Sequence, residues 1–211
     1  MSKLPALLLL LATALTAAAD SPARVDADSV VWRATLEADQ QRLQQIAEQL
    51  SASLPVSGTM VQQKHMAILE QPLQSKGEFL LEENGDIDWS VTEPFPVLYQ
   101  VRDDRILRTL DGEQLEISAR TEPSVYGFFQ IVSKLFELKL DGLHRFFTLQ
   151  VPAEGLGEPW QLRLQPNNDR LASAIAAIVV SGQQGQMSRV TVREPNGDFS
   201  QIEFIYRSKK P

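Results

Sequence analysis

Between residues 58 and 120 apolar and polar side chains alternate with a period of two. Ile87, Trp89 and Val91 are interleaved with Asp86, Asp88 and Ser90, and Leu115 and Ile117 with Gln114, Glu116 and Ser118. This is the pattern of strands with one dry and one wet face. Asn84-Gly85, Asp111-Gly112 and, later, Asn196-Gly197 accept the positive φ angles of tight hairpins, so the sheet they predict is largely antiparallel. The alternation returns at Phe147, Leu149 and Val151, at Trp160, Leu162 and Leu164, at Val190 and Val192, and at Phe204 and Tyr206. The total predicted is about 9 to 11 strands.

Two segments follow a helical period instead. Across residues 29 to 50, Trp32, Leu36, Leu43, Ile46 and Leu50 recur three, four or seven apart with Gln, Glu and Arg between them, which predicts an amphipathic helix ended by Pro55 and Gly58. Within 123 to 140, Val125, Phe128, Phe129, Val132, Leu135 and Phe136 share one helical face, while Ile131 and Leu138 widen it. A helix over 124 to 138 with so few charges has to be covered on most of its circumference. Residues 169 to 177 are expected to add a short helical turn.

The fold that satisfies these signals is mainly β with α: an open, incomplete antiparallel β-barrel closed by a helical lid. A sheet-on-sheet sandwich is the alternative. The barrel is preferred because both helical segments are too apolar to lie unpacked, and a curved sheet has one large inner face to cover.

The chain opens MSKLPALLLLLATALTAAAD: a positive start at Lys3, an apolar run over Leu7 to Leu11, and small residues at Ala17-Ala18-Ala19. That is the layout of a cleaved export signal over residues 1–19, which leaves 20–211 as one domain in the periplasm. The run is shorter than the roughly 20 apolar residues of a stable span. With no cysteine in the chain there is neither a lipidation site after the cut nor a disulfide, so about 190 residues must rely on their apolar core. Removing Lys3 with the leader leaves 19 basic against 27 acidic residues, a net charge near −8. A chain so acidic repels phosphate backbones, and Arg207, Lys209 and Lys210 make only a solvated tail, so no nucleic-acid partner is expected.

Catalytic and metal chemistry find little support. His65 and His144 lack the short-range partners of a zinc motif, and the absence of cysteine removes thiol nucleophiles and soft-metal sites. No serine lies in a G-x-S-x-G elbow, and Ser75-Lys76 and Ser133-Lys134 lack the S-x-x-K spacing. The acidic run at 82 to 88 lacks the ordered ligands of a calcium loop and reads as a solvated hairpin. No glycine motif cradles a nucleotide. No enzyme activity and no cofactor are therefore expected. What stands out is apolar surplus: Trp89, Phe128, Phe129, Phe136, Phe146 and Phe147 serve either as ordinary core or as the lining and gate of a cavity for acyl chains, and periodicity leaves both open.

The block from Gly58 to Pro96 carries Gln63-Lys64 after the first helix, Ser75-x-Gly77 opening the next strand, and Trp89 followed by Pro94. WQLRLQP at 160 to 166 and GDFSQIEF at 197 to 204 follow in order. In these features the chain resembles the periplasmic outer-membrane lipoprotein carriers, the LolA family. The resemblance implies an unclosed antiparallel barrel with a helical lid over an apolar cavity. Such a carrier takes acyl chains from an inner-membrane transporter or exporter, hands them to an outer-membrane acceptor, needs no cofactor and is expected to be a monomer. Two features mark a divergent branch. Glu83-Asn84 stands where carriers of the family have an Arg-Pro pair whose arginine bonds to the lid, and the chain stops soon after GDFSQIEFIYR, where those carriers continue. The cargo is then an acylated protein or another acyl product. The competing expectation is an accessory or binding module of a lipid exporter or biosynthetic system, without lipoprotein cargo. In the carrier reading the cavity and lid comprise Phe79, Leu81, Ile87, Trp89, Val91, Leu115, Ile117, Phe128, Phe129, Val132 and Phe136.

Overall fold

A computed structural model describes residues 30–103, 105–136 and 140–208. The expected leader, the cut before Asp20, and Leu138 lie outside the described residues. The strands are β1 (Trp32–Ala34), β2 (Val56–His65), β3 (Leu73–Leu81), β4 (Ile87–Glu93), β5 (Val97–Arg102), β6 (Arg105–Leu110), β7 (Glu113–Ile117), β8 (Phe147–Pro152), β9 (Trp160–Pro166), β10 (Ala177–Gln183), β11 (Gln186–Arg193) and β12 (Phe199–Tyr206), and all but β1 fall in the segments outside the two helical periods. The period-3.6 segments form α1 (Glu37–Ala52) and α2 (Pro123–Phe136); α3 (Leu140–His144) is a further short helix, and α4 (Asp169–Ala172) is a single turn capped by the Asn168 side chain, which accepts from the Leu171 N–H at 3.0 Å.

The twelve strands make one sheet in the order β1-β8-β9-β10-β11-β12-β2-β3-β4-β5-β6-β7. Each neighbouring pair runs antiparallel. β1 and β7 are the two edges and do not pair with each other, so the barrel is open. Each half of the chain is a meander of hairpins, and the halves are sewn together where β12 pairs with β2 from Phe199↔His65 to Tyr206↔Gly58.

This topology places the helices. The chain leaves the sheet at the β7 edge and re-enters at β8, beside the opposite edge, so the connection between them has to cross the sheet. It crosses as α2 and α3, and the apolar face of α2 lies on the concave side against β3, β4, β5 and β12. Helix α1 packs on β11 through its buried stripe, Leu43, Ile46 and Leu50. Its last turn rests on the β10–β11 hairpin, where a side chain at Gly185 would meet Ser53 and Gln49.

The Asp111-Gly112 turn has positive φ at both residues (51° and 82°), as the two-residue hairpin between β6 and β7 requires. Gln184-Gly185 does the same between β10 and β11 (50° and 71°), a turn that lacks the usual Asn or Asp signal. At Gly77, beside a β-bulge, the sheet bends so sharply that a Cβ would sit 2.1 Å from the Ser90 carbonyl oxygen on β4.

One sequence expectation is corrected here. The first helix begins at Glu37, not near residue 29: Trp32 lies on β1, paired with Pro152, and Leu36 is the exposed N-cap. Arg33 fixes the break, because its guanidinium grips Asp39 of α1 through both terminal nitrogens (2.5 and 3.1 Å) while Asp39 accepts the Leu36 N–H at 2.8 Å. Trp32 fits the helical period by coincidence of spacing, and recognising β1 as the extra strand requires its partner 120 residues away.

Candidate functional site

Alternation sends one residue in two from each strand onto the concave face, and register lines those residues up across strands. One row runs Phe79, Trp89, Tyr99, Arg108, Leu115 from mid-sheet to the β7 edge. Phe204 on β12 lies beside its inner end, 5.3 Å from Phe79 between ring centres. Onto this floor α2 lowers Val125, Phe129, Val132 and Phe136, spaced four, three and four apart, all buried. Phe136 meets Phe79 and Phe204 at 6.0 and 5.3 Å, Phe129 meets Trp89 and Tyr99 at 6.1 and 5.1 Å, and Phe128 stands edge-on to Trp89 at 5.7 Å. Most of these pairs are tilted or edge-to-face, the geometry in which ring edges meet ring faces favourably.

Little space remains between α2 and the floor among the described residues. An apolar void of about 10 Å³ lies between α2 (Val132, Leu135, Phe136) and the floor (Met187, Val190, Ile202, Phe204). It holds one water-sized sphere at most, whereas sites for acyl-sized ligands need roughly 300 Å³ or more. In this closed form α2 occupies the space that a ligand on the concave face would fill.

Phe79, Leu81, Ile87, Trp89, Val91, Ile117, Phe129, Val132 and Phe136 are all buried on this face, and Phe128 is half-buried at its rim. Leu115 is not part of the interior and is corrected: it is 53% exposed. It shares the inward side of β7 with Ile117, but β7 is an edge strand, and of its five residues only Ile117 is buried. Phe146 is exposed as well, while Phe147 is buried.

Sequence reading missed Tyr99, Phe204, Tyr206 and Arg108. Phe204 and Tyr206 show clear alternation, but only the pairing of β12 with β2 brings them beside Phe79. Burial raises the phenol pKa of both tyrosines above the ordinary value. Tyr206 donates to the Met187 carbonyl at 2.7 Å, and beside Tyr99 the Arg108 guanidinium partly offsets the shift.

Arg108 holds the start of the lid. Its Nη1 lies 2.7 and 2.9 Å from the two carboxylate oxygens of Glu122, the residue before α2, and both side chains are about four-fifths buried. Glu83 and Asn84 sit exposed in the β3–β4 turn.

The other candidate chemistry has structural uses. Asp86 and Asp88 of the acidic run face Arg102, at 3.6 Å for Asp86 and in direct contact for Asp88. His65 stacks on Phe199. Lys64 forms an ion pair with Glu194. Among the described residues, no group of three or more acidic, histidine or cysteine side chains is placed to hold a metal ion, and no helix is long and apolar enough to cross a membrane.

A family profile described as outer membrane lipoprotein carrier protein LolA-like matches residues 17–204. The chain belongs to the LolA-like family. Gln63 and Lys64 of the family-like block lie on β2, Ser75 and Gly77 on β3 and Trp89 on β4, so that block is the centre of the concave floor.

Comparison with curated proteins gives no match. Among solved structures, this LolA-like chain is similar to one in the MucA/MucB complex of Pseudomonas aeruginosa (12% identity, TM-score 0.46), covering 82% of its own length and 58% of that chain. It is also similar to the lipoprotein LppX of Mycobacterium tuberculosis (12%, 0.44, 83% and 99%) and to a LolA superfamily protein of Nitrosomonas europaea (7%, 0.41, 80% and 94%). At TM-scores below 0.5, it is the family match that places the chain.

Proposed function

We propose that this protein is an extracytoplasmic carrier that holds the acyl chains of a lipid or lipoprotein under α2 and moves them from the inner towards the outer membrane. The observation that carries the reading is an apolar helix, α2, laid across an aromatic concave floor by the topology of an open sheet. An acyl chain and the face of α2 are alternative occupants of one surface. Each CH₂ hidden from water is worth about 0.8 kcal/mol, so a ten-carbon chain gains roughly 7 kcal/mol, set against the apolar packing that α2 gives up when it lifts. Opposing terms of this kind suit a carrier, which has to release what it binds.

In this reading residues 1–19 are removed on export and 20–211 work as one monomeric domain in the periplasm. An inner-membrane transporter or exporter supplies the cargo, and an outer-membrane acceptor receives it. The role calls for neither a cofactor nor a catalytic residue. Phe79, Leu81, Ile87, Trp89, Val91, Ile117, Phe128, Phe129, Val132 and Phe136 are the proposed acyl-contacting residues.

The test is mass spectrometry of organic extracts from protein purified without detergent. A stoichiometric acyl species is expected, and its absence, together with no binding of added fatty acyl compounds, would overturn the carrier. One observation favours the second reading, an accessory module with a permanently filled core: the void beneath α2 is only about 10 Å³.

A further inference from the structure

The row Phe79, Trp89, Tyr99, Arg108, Leu115 changes character along its length. Its inner end is aromatic and dry, Tyr99 is amphipathic, and Arg108 brings a fixed positive charge next to the β7 edge, beside the exposed Leu115 and Leu110. A guanidinium among apolar side chains at the end of a lipid-sized floor is unusual, because a charge there has to be matched. In the closed form Glu122 matches it through Nη1, while Nε of Arg108 is buried without an acceptor. Glu122 directly precedes α2, so lifting the helix carries the carboxylate away from Arg108. A guanidinium offers five N–H donors in a planar fork suited to carboxylate and phosphate oxygens.

We propose that Arg108 is the headgroup site for an anionic amphiphile: the acyl chain replaces the apolar face of α2 over Trp89 and Phe79, and the carboxylate or phosphate of the ligand replaces Glu122 on Arg108. This rests on the carrier reading and adds ligand class to it. Cargo and lid then compete for both halves of the site, the chain with Phe129 and Phe136, the head with Glu122. The exchange keeps the guanidinium paired in both states.

The test uses the mature protein with decanoate, decyl phosphate and decanol, each below its micelle concentration, and reads displacement of a hydrophobic dye. The parent is expected to bind at least one of the two anions tenfold or more tightly than decanol, and the tighter anion identifies the head. Added salt should narrow the ratio. Arg108→Gln should abolish the preference, whatever the freed lid does to the affinity for decanol itself. Glu122→Gln, a second variant that retains the guanidinium, should widen the anion-to-decanol ratio several-fold by removing the rival carboxylate. That ratio is insensitive to a lid that merely loosens. Equal affinity of the parent for all three compounds, or an unchanged ratio in either variant, overturns the headgroup site while leaving the carrier standing. Failure of all three compounds to bind overturns the carrier and the headgroup site together.

Discussion

At the scale of single residues, side chains here act through close geometry, and their consequences can be measured. Gly77 has no room for a β-carbon against the Ser90 carbonyl, and that obstacle is backbone on a paired strand. Gly77→Ala should lower stability by about 1–3 kcal/mol in denaturant titration. A melt within about a degree of the parent would show that the bend relaxes freely. Asp39 supplies a pH dependence. The Arg33 guanidinium first, and then the Leu36 N–H, hold its carboxylate below the ordinary range despite its burial. A depressed native pKa means that its contribution is complete above the unfolded value of about 3.9 and is lost as pH falls through the native value. Asp39→Asn should therefore melt lower than the parent at pH 7, with the gap closing below pH 4 in melts run as a pH series. Trp89 and Phe129 were visible as inward residues from alternation and helical spacing alone. The Arg108–Glu122 pair was not, because nothing local in either segment signals it: one partner lies on β6, the other 14 residues on at the mouth of α2.

Among the elements, α2 decides what the molecule can do. Its apolar stripe was readable from Val125 to Phe136, but the same stripe serves a permanent core helix and a gate. Phe128 and Phe129 separate these roles, since Phe128 is half-buried at the rim and Phe129 lies between Trp89 and Tyr99. For a gate, Phe128→Asp and Phe129→Asp should raise hydrophobic-dye binding and reduce cargo retention with only a modest fall in melting temperature, as α2 swings out to keep the carboxylate wet. For a filled core, Phe129→Asp should cost at least the roughly 3–5 kcal/mol of losing a buried phenylalanine and unfold much of the sheet. Thermal melts and dye binding on the two variants distinguish these outcomes. Helix α1 carries the opposite lesson. A helical period alone starts it too early, because Trp32 and Leu36 fit that period, while β1 is specified by its pairing with β8 and by the Arg33–Asp39 clamp.

For the whole molecule, the proposed transit from membrane to membrane makes two expectations concrete. N-terminal sequencing of exported protein should begin at or near Asp20, and a membrane-bound chain with Met1 intact would contradict it. With Trp32 and Trp160 replaced by Phe, Trp89 emission should be blue-shifted and should change when decanoate is added, since the indole lies on the floor that the chain would occupy. By itself the sequence determined the antiparallel strands, their wet and dry faces, the Asp111-Gly112 hairpin and an apolar helix in need of cover, because those depend on neighbours a few residues apart. Only the tertiary structure decided that β12 pairs with β2, that Phe204 faces Phe79, that Leu115 is exposed on the edge strand, and that Arg108 meets Glu122 just ahead of α2. These contacts follow from strand pairing over long sequence separations within one twelve-stranded sheet and from the helix that crosses it, which a local period does not encode.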